Sequence, residues 1–340
     1  MSKPTAPLFV ELKILHLTEP FRIAHGTSTE RIMLRVRRGE ALGEAPFVPY
    51  YGDDPQETLR WVQENGDVIS ESTPRVARLA LDLLRHDELG KEAGLPLREL
   101  LPETQENISP PPGCRSLGIP EDMNLFREKV RQTAAQFSVL KLKLGSGNLE
   151  KDEAIVSLAR DAAPHAMIFA DANGGWSVEE AVQIIPRLAV HGLEFVEQPV
   201  SHKEGIAAWK QLLERMPSPP LALYADESAQ TVEDVPKLAG LVDGVNVKLL
   251  KCGGIRQAIA MIEAAREHHM HVMLGCMIES SIGVTAAAQL ATLADWVDLD
   301  GHLYLADDDH AGLTYDASGN LMLPDSPGLG ATALNGGAAS

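Results

Sequence analysis

Three cysteines in 340 residues are too few for a disulfide framework. Cys114, Cys252 and Cys276 are odd in number and do not fall in the spacing of a metal site, so they read as reduced thiols of a cytoplasmic protein. No apolar stretch reaches about 20 residues, and no membrane span is expected. The opening MSKPTAPLFVELK lacks the charged and apolar regions of a signal peptide. Basic residues are scarce as well. Lys and Arg number 30 against 48 Asp and Glu, a formal charge of −18. Binding to a nucleic-acid backbone rests on clustered Lys and Arg, so no nucleic-acid partner is expected. Neither G-x-G-x-x-G nor a P-loop occurs.

What is present reads as a soluble globular protein, 44% hydrophobic and 23% charged, long enough for a barrel plus a modest second domain. Residues 8 to 48 alternate like antiparallel strands, LFVELKILHL and then RIMLRVRRG. Between them FRIAHGTSTE, polar and containing Gly26, predicts a loop. ETLRWVQENGDVISE and TPRVARLALDLLRHDELGK carry helical spacing, with Thr73 before Pro74 as the predicted N-cap. PPPGC at 110–114 breaks the pattern. The expected division is therefore a capping domain at 1–112, a barrel at 113–308 and a C-terminal segment at 309–340 that packs back on the cap.

After the break, strand and helix alternate. Strands are predicted at RSLGI, VLKLKLG, MIFADA, LEFVEQ, LALYAD, GVNVKL, HVMLGCM and WVDLDG. Helical periodicity falls between them, in DEAIVSLARDAA, SVEEAVQIIPRLAVHG, VEDVPKLAGLV and IRQAIAMIEAAREHH. Eight such strands favour a closed barrel with right-handed crossovers. A doubly wound open sheet would gather its chemistry at one switch point, whereas here charged residues close most of the strands.

Three groupings at those strand ends carry chemistry. Asp171, Glu197 and Asp226 close successive strands, and hard oxygen ligands of this kind suit Mg²⁺. The bland alternative is that each caps a helix or pairs with a lysine. Glu227 should face away from Asp226 and is not counted as a ligand. Lys143 and Lys248 form the second grouping, two potential bases on distant strands. Burial, the metal and Lys141 on the face of Lys143 are expected to lower a lysine pKa. Lys251 is expected on a loop or the surface. Asp298 and Asp300 share a face at the last strand end, where a substrate ammonium would satisfy both.

With these residues in view, the chain resembles the enolase superfamily, in its muconate lactonizing enzyme subgroup. The matching motifs are KLK at 141–143, DANGGW at 171–176, EQP at 197–199, ADES at 225–228 and NVKLLKCGG at 246–254. The resemblance implies a (β/α)7β TIM-like barrel capped by an α+β domain built from both termini. It implies one Mg²⁺ per subunit on Asp171, Glu197 and Asp226, with Lys143 and Lys248 as acid/base pair and Lys141 as auxiliary lysine. GCMIESSIG at 275–283 and VDLDG at 297–301 look like the dipeptide epimerases, in which the paired aspartates bind the α-ammonium of the substrate. The expected reaction inverts the α-carbon of the C-terminal residue of a dipeptide through an enolate.

Substrate contacts are expected from Arg22 and His25 in the first cap loop, Tyr51 and Asp53 in the second (VPYYGDDP), and Cys276 and Met277 of the barrel. Asp53, Asp54, Asp307, Asp308 and Asp309 would favour cationic or uncharged dipeptides if they ring the mouth. A homo-oligomer is expected because related barrels self-associate. The rivals are other reactions of the subgroup, namely cycloisomerization, o-succinylbenzoate synthesis, N-acylamino acid racemization or specificity for L-Ala-D/L-Glu, and an idle barrel that only binds amino-acid derivatives.

Overall fold

Alternating side chains near the N-terminus build a three-stranded antiparallel sheet in the order β1 (Leu8–Ile23), β2 (Gly26–Arg38), β3 (Ala41–Pro46). The computed structural model describes residues 6–104 and 108–334. Residues 1–5 and 105–107 of the expected cap and 335–340 of the expected tail lie outside the described residues. The segment FRIAHGTSTE is not a loop. β1 runs through Ile23, β2 starts at Gly26, and Ile23 pairs with Gly26 across a two-residue turn. Gly26, the first residue after the turn, has φ 130°, a backbone conformation that a residue with a side chain rarely adopts.

Helix α1 (Pro55–Asn65) is capped by Asp54, whose side chain accepts from the Glu57 N–H. Helix α2 (Arg75–Ala93) lays Val76, Leu79, Ala80, Leu83 and Leu84 against the sheet. Its N-cap is Pro74, one residue later than predicted, because the Thr73 hydroxyl accepts from the Ser70 N–H instead of the helix. Gly43 allows the close approach of β3 and α2, since a Cβ there would fall 2.0 Å from the Ala80 carbonyl oxygen.

The barrel strands are β4 (Cys114–Leu117), β5 (Val139–Lys143), β6 (Met167–Asp171), β7 (Phe195–Glu197), β8 (Ala222–Ala225), β9 (Gly244–Lys248), β10 (His271–Gly275) and β11 (Trp296–Asp298). They pair in parallel in chain order, and a parallel bridge from Gly113 to Val297 brings the last strand against the first. The connections carry α3 (Met123–Ala134), α4 (Leu149–Ala162), α5 (Val178–Ala189), α6 (Ile206–Arg215), α7 (Val235–Leu238), α8 (Leu249–Cys252), α9 (Ile255–Glu267) and α10 (Ser281–Ala288). α7 is shorter than VEDVPKLAGLV predicts. Pro236 allows a first turn, but the backbone leaves the helix at Ala239 and turns at Gly240, φ 74°.

The two-residue period of a strand sorts the barrel interior into layers. Low in the barrel, Val139, Phe169, Phe195, Tyr224 and Met273 form a separate apolar cluster, with Phe195 stacked on Phe169 at 4.4 Å and on Tyr224 at 4.1 Å. Two or four residues further along the same strands come Lys141, Lys143, Asp171, Glu197, Asp226 and Gly275. An aromatic floor therefore lifts a charged layer to the carboxyl ends of the strands.

The tail forms β12 (His310–Ala311), β13 (Thr314–Tyr315), β14 (Leu321–Met322) and β15 (Thr332–Ala333), paired β12 with β15 and β13 with β14. Asp87 of α2 ties it to the cap, accepting from the N–H groups of Leu42 (2.8 Å) and Leu329 (2.9 Å) and from Lys91 Nζ (2.7 Å). Asp87→Ala would leave the Leu42 and Leu329 amides without an acceptor. We expect a loss of about 3 kcal/mol, read as a lower urea midpoint. A midpoint equal to that of the parent protein would contradict this junction.

Candidate active site

Asp171 and Glu197 end their strands and Asp226 follows directly on its own. All three carboxylates are buried, and each places an oxygen within 4.8 Å of the others. The backbone just beyond two of them is strained. Asn173 and Gln198 have φ of 46° and 38°, the left-handed region that non-glycine residues rarely adopt. Gln198 repays its conformation by bracing the next loop. Its Oε1 accepts from the N–H groups of Asp226 and Ser228, both at 3.0 Å. Asn246 Nδ2 donates to Glu197 Oε1 at 2.6 Å and orients that carboxylate.

Four lysines surround the trio. Lys141, fully buried, lies 2.7 Å from both Glu197 Oε2 and Asp298 Oδ2 and 3.2 Å from Asp171 Oδ2. Lys143 donates to Asp171 Oδ2 at 2.6 Å, and Lys248 to Asp226 Oδ2 at 2.6 Å. Lys251 is the fourth, and its expected place on a loop or the surface is wrong. It is buried, 2.5 Å from Asp226 Oδ1 and 2.6 Å from the Asn246 carbonyl oxygen. The strand ends at Lys248, and the helical turn of α8 swings the residue three positions later back under Asp226. Glu227 is likewise buried and accepts from Asn173 Nδ2 at 3.1 Å, away from the trio.

Burial lowers Lys251, whereas the protein's own groups, apart from any cation, do not lower Lys141 or Lys248. Burial pulls Lys141 and Lys248 down, but the adjacent carboxylates, Asp298 foremost for Lys141 and Asp226 for Lys248, outweigh it and hold both well above the usual lysine range. Among the carboxylates, burial and then the neighbouring Asp171 push Glu197 up to about 8. Its Oε2 is buried and accepts no hydrogen bond, although the Lys141 ammonium is close. Three buried carboxylates converging within 4.8 Å form a hard-oxygen set that a divalent cation fits.

Asp298 and Asp300 each have an internal cation. Asp298 Oδ2 meets Lys141, and its Oδ1 accepts from Ser116 Oγ at 3.1 Å. Burial raises Asp298, but Lys141 and Lys143 outweigh this and bring it down to about 2. Asp300 accepts from the Ser116 N–H and from Tyr304 Oη, both at 2.7 Å, with Arg115 at 3.2 Å, while burial keeps its carboxyl raised. Both aspartates line a cavity of about 310 Å³ whose wall also includes Lys143 and Lys248.

His25, Cys276 and Met277 line this cavity, as expected. Arg22, Tyr51 and Asp53 do not. Arg22 contributes its carbonyl oxygen to the Ile119 N–H, Tyr51 turns its ring to Arg75 at 4.6 Å, and half-buried Asp53 faces the same arginine. Arg31 and Tyr50 take their places. The acidic residues expected to ring the mouth are engaged elsewhere. Asp54 caps α1, Asp307 meets His16, Asp308 accepts from the Ser281 N–H, and Asp309 holds Arg35. None of them lines the cavity, so these residues do not support the expected lean toward cationic or uncharged dipeptides.

The family described as enolase C-terminal domain-like matches residues 125–335. A hydrophobic dipeptide epimerase of a Flavobacteria bacterium (strain MS024-2A) is 36% identical over 262 residues, 76% of this chain and 73% of that protein. The L-Ala-D/L-Glu epimerase of Bacteroides thetaiotaomicron is 30% identical over 339 residues, 94% of this chain and 85% of that one. The crystal structure of a dipeptide epimerase from Enterococcus faecalis V583, complexed with Mg and the dipeptide L-Leu-L-Tyr, superposes with a TM-score of 0.84 at 29% identity, covering 96% of this chain and 99% of that one. With a parallel eight-stranded barrel, a carboxylate trio at its strand ends and these relatives, the chain belongs to the enolase superfamily, as an isomerase similar to the dipeptide epimerases.

Proposed function

We propose that the protein is a Mg²⁺-dependent dipeptide epimerase that inverts the α-carbon of the C-terminal residue by proton transfer between two lysines. One observation carries this reading. Lys143 and Lys248 reach a single cavity from strands β5 and β9, with the carboxylate trio between them. Asp171, Glu197 and Asp226 would hold one Mg²⁺ per subunit. When bound, the cation polarises the substrate carboxylate and neutralises the acidic groups that otherwise keep Lys248 protonated.

The chain's own residues do the rest. Lys141 stays protonated beneath the site and adds fixed positive charge where the enolate develops its negative charge. One of Lys143 and Lys248 takes the α-proton, and the other, protonated, returns one to the opposite face. Asp298 and Asp300 receive the substrate ammonium. Cys276 and Met277 close the wall beside them. The idle-barrel rival accounts for the aspartates but not for two lysines aimed at one space. The other reactions of the subgroup share the lysines and carboxylates, but they give the aspartate pair no ammonium to bind. Incubation of an L,L-dipeptide with protein and Mg²⁺ should yield the L,D diastereomer, resolved by chromatography. Persistence of the L,L form alone across acidic, amide, apolar and cationic side chains would overturn the reading.

A further inference from the structure

We propose that Arg31 makes this site selective for dipeptides whose C-terminal residue carries a side-chain carboxylate. The inference rests on the dipeptide epimerase reading and extends it to the side chain, on which the relatives differ, one named for hydrophobic dipeptides and another for L-Ala-D/L-Glu.

Arg31 lies on cap strand β2 and is 7% exposed, and it lines the same cavity as Lys143, Lys248, Asp298 and Asp300. The other cations there have carboxylate partners, Lys143 with Asp171 and Lys248 with Asp226. Arg35, four residues along the same strand, is bound by Glu44 at 2.6 Å and Asp309 at 2.8 Å. Arg31 forms no ion pair with any described carboxylate. Among the described residues its guanidinium donates only to the Phe47 carbonyl oxygen at 3.2 Å and to Ser28 Oγ at 3.3 Å, and its Nε is buried without a partner. Glu279 is the acidic group nearest in effect. It accepts from the Met277 N–H at 3.0 Å and makes no ion pair with Arg31, and burial raises its carboxyl to about 7.

A buried cation without a counterion is costly, and a carboxylate presented to a guanidinium fork relieves that cost with charge-assisted hydrogen bonds. The position fits the substrate. The α-carboxylate points to the barrel trio and the ammonium to Asp298 and Asp300 on the barrel wall. The side chain of the reacting residue is the group left to reach the cap, where Arg31, Thr27 and Ser28 offer donors. A Lys or Arg side chain there would meet a like charge.

The test compares kcat/KM for L-Ala-L-Glu, L-Ala-L-Gln, L-Ala-L-Leu and L-Ala-L-Lys with Mg²⁺, in the parent protein and in Arg31→Met and Arg31→Lys. The parent should prefer Glu over Gln by at least about 10-fold and over Lys by about 100-fold. Arg31→Met should lower kcat/KM for the Glu substrate about 30-fold more than for the Leu substrate, mainly through KM, and Arg31→Lys should restore part of the difference. The parent panel alone decides if a variant does not fold. Turnover of the Lys dipeptide equal to or above that of the Glu dipeptide, or an equal fall for all substrates in Arg31→Met, overturns the role of Arg31 while leaving epimerization standing. No turnover of any dipeptide overturns both.

Discussion

Alanine in place of Lys143 or of Lys248 is expected to lower epimerization by roughly 10³- to 10⁴-fold or more, because each variant lacks one of the two groups that must exchange a proton with the same carbon. The two variants should nevertheless differ from an inert protein and from each other. Lys143 and Lys248 come from β5 and β9 and meet different carboxylates, Asp171 and Asp226. A protein that keeps only one can still remove the α-proton facing it and return a solvent proton to the same face. Each variant should therefore exchange the α-proton of one diastereomer with D₂O and leave the other untouched, and the preferred diastereomer should reverse between the variants. Nuclear magnetic resonance of the α-proton reads both rates. Full epimerization by either variant, or exchange of both diastereomers by one, would contradict the two-lysine arrangement.

Glu197→Gln carries the second large effect. The substitution keeps the shape and leaves an oxygen for the Asn246 Nδ2 donor at Oε1, so the fold should survive. What it removes is one negative charge from three buried carboxylates. Mg²⁺ affinity should fall by at least about 100-fold, and kcat/KM by about 10³-fold at fixed Mg²⁺. Thermal unfolding supplies a readout free of activity. A cation that binds only the folded chain stabilises it by about 1.4 kcal/mol for each tenfold excess over its dissociation constant. The unfolding temperature of the parent should thus rise with Mg²⁺, and that of Glu197→Gln should not respond over the same range. Without Mg²⁺ the variant should be less stable than the parent, since with Oε1 kept for Asn246 its Nε2 would face the Lys141 ammonium that Glu197 Oε2 meets at 2.7 Å, so the readout is the response to Mg²⁺ and not the starting temperature. A parent protein indifferent to Mg²⁺ would remove the cation site from the account.

The barrel was legible because strand alternation is a local property. Val139, Lys141 and Lys143 share a face whatever surrounds them, and Phe169 and Asp171 do likewise. The same rule failed at Lys251, where the backbone changes from strand to helix between it and Lys248. Polar composition misled at FRIAHGTSTE, since strands that meet solvent and a ligand cavity carry the same residue types as a loop. Arg31 and Tyr50 were missed in favour of Arg22, Tyr51 and Asp53 for a different reason. Which side of the cap hairpin faces the barrel is decided by how the two units dock, and no local pattern records it. Gln198 gave no conformational signal, whereas Asn173, followed by two glycines, is of a residue type that tolerates the left-handed region. The motifs DANGGW and EQP marked them only through the family resemblance.

The most direct measurement is incorporation of solvent deuterium into pooled L,L-dipeptides, with acidic, amide, apolar and cationic C-terminal residues, incubated with the protein and Mg²⁺ in D₂O and read by mass. The account predicts a gain of one dalton at the α-carbon of the C-terminal residue, fastest in the acidic members and lost on chelation of Mg²⁺. No gain in any member would contradict it and move the site to a non-dipeptide substrate of the same subgroup.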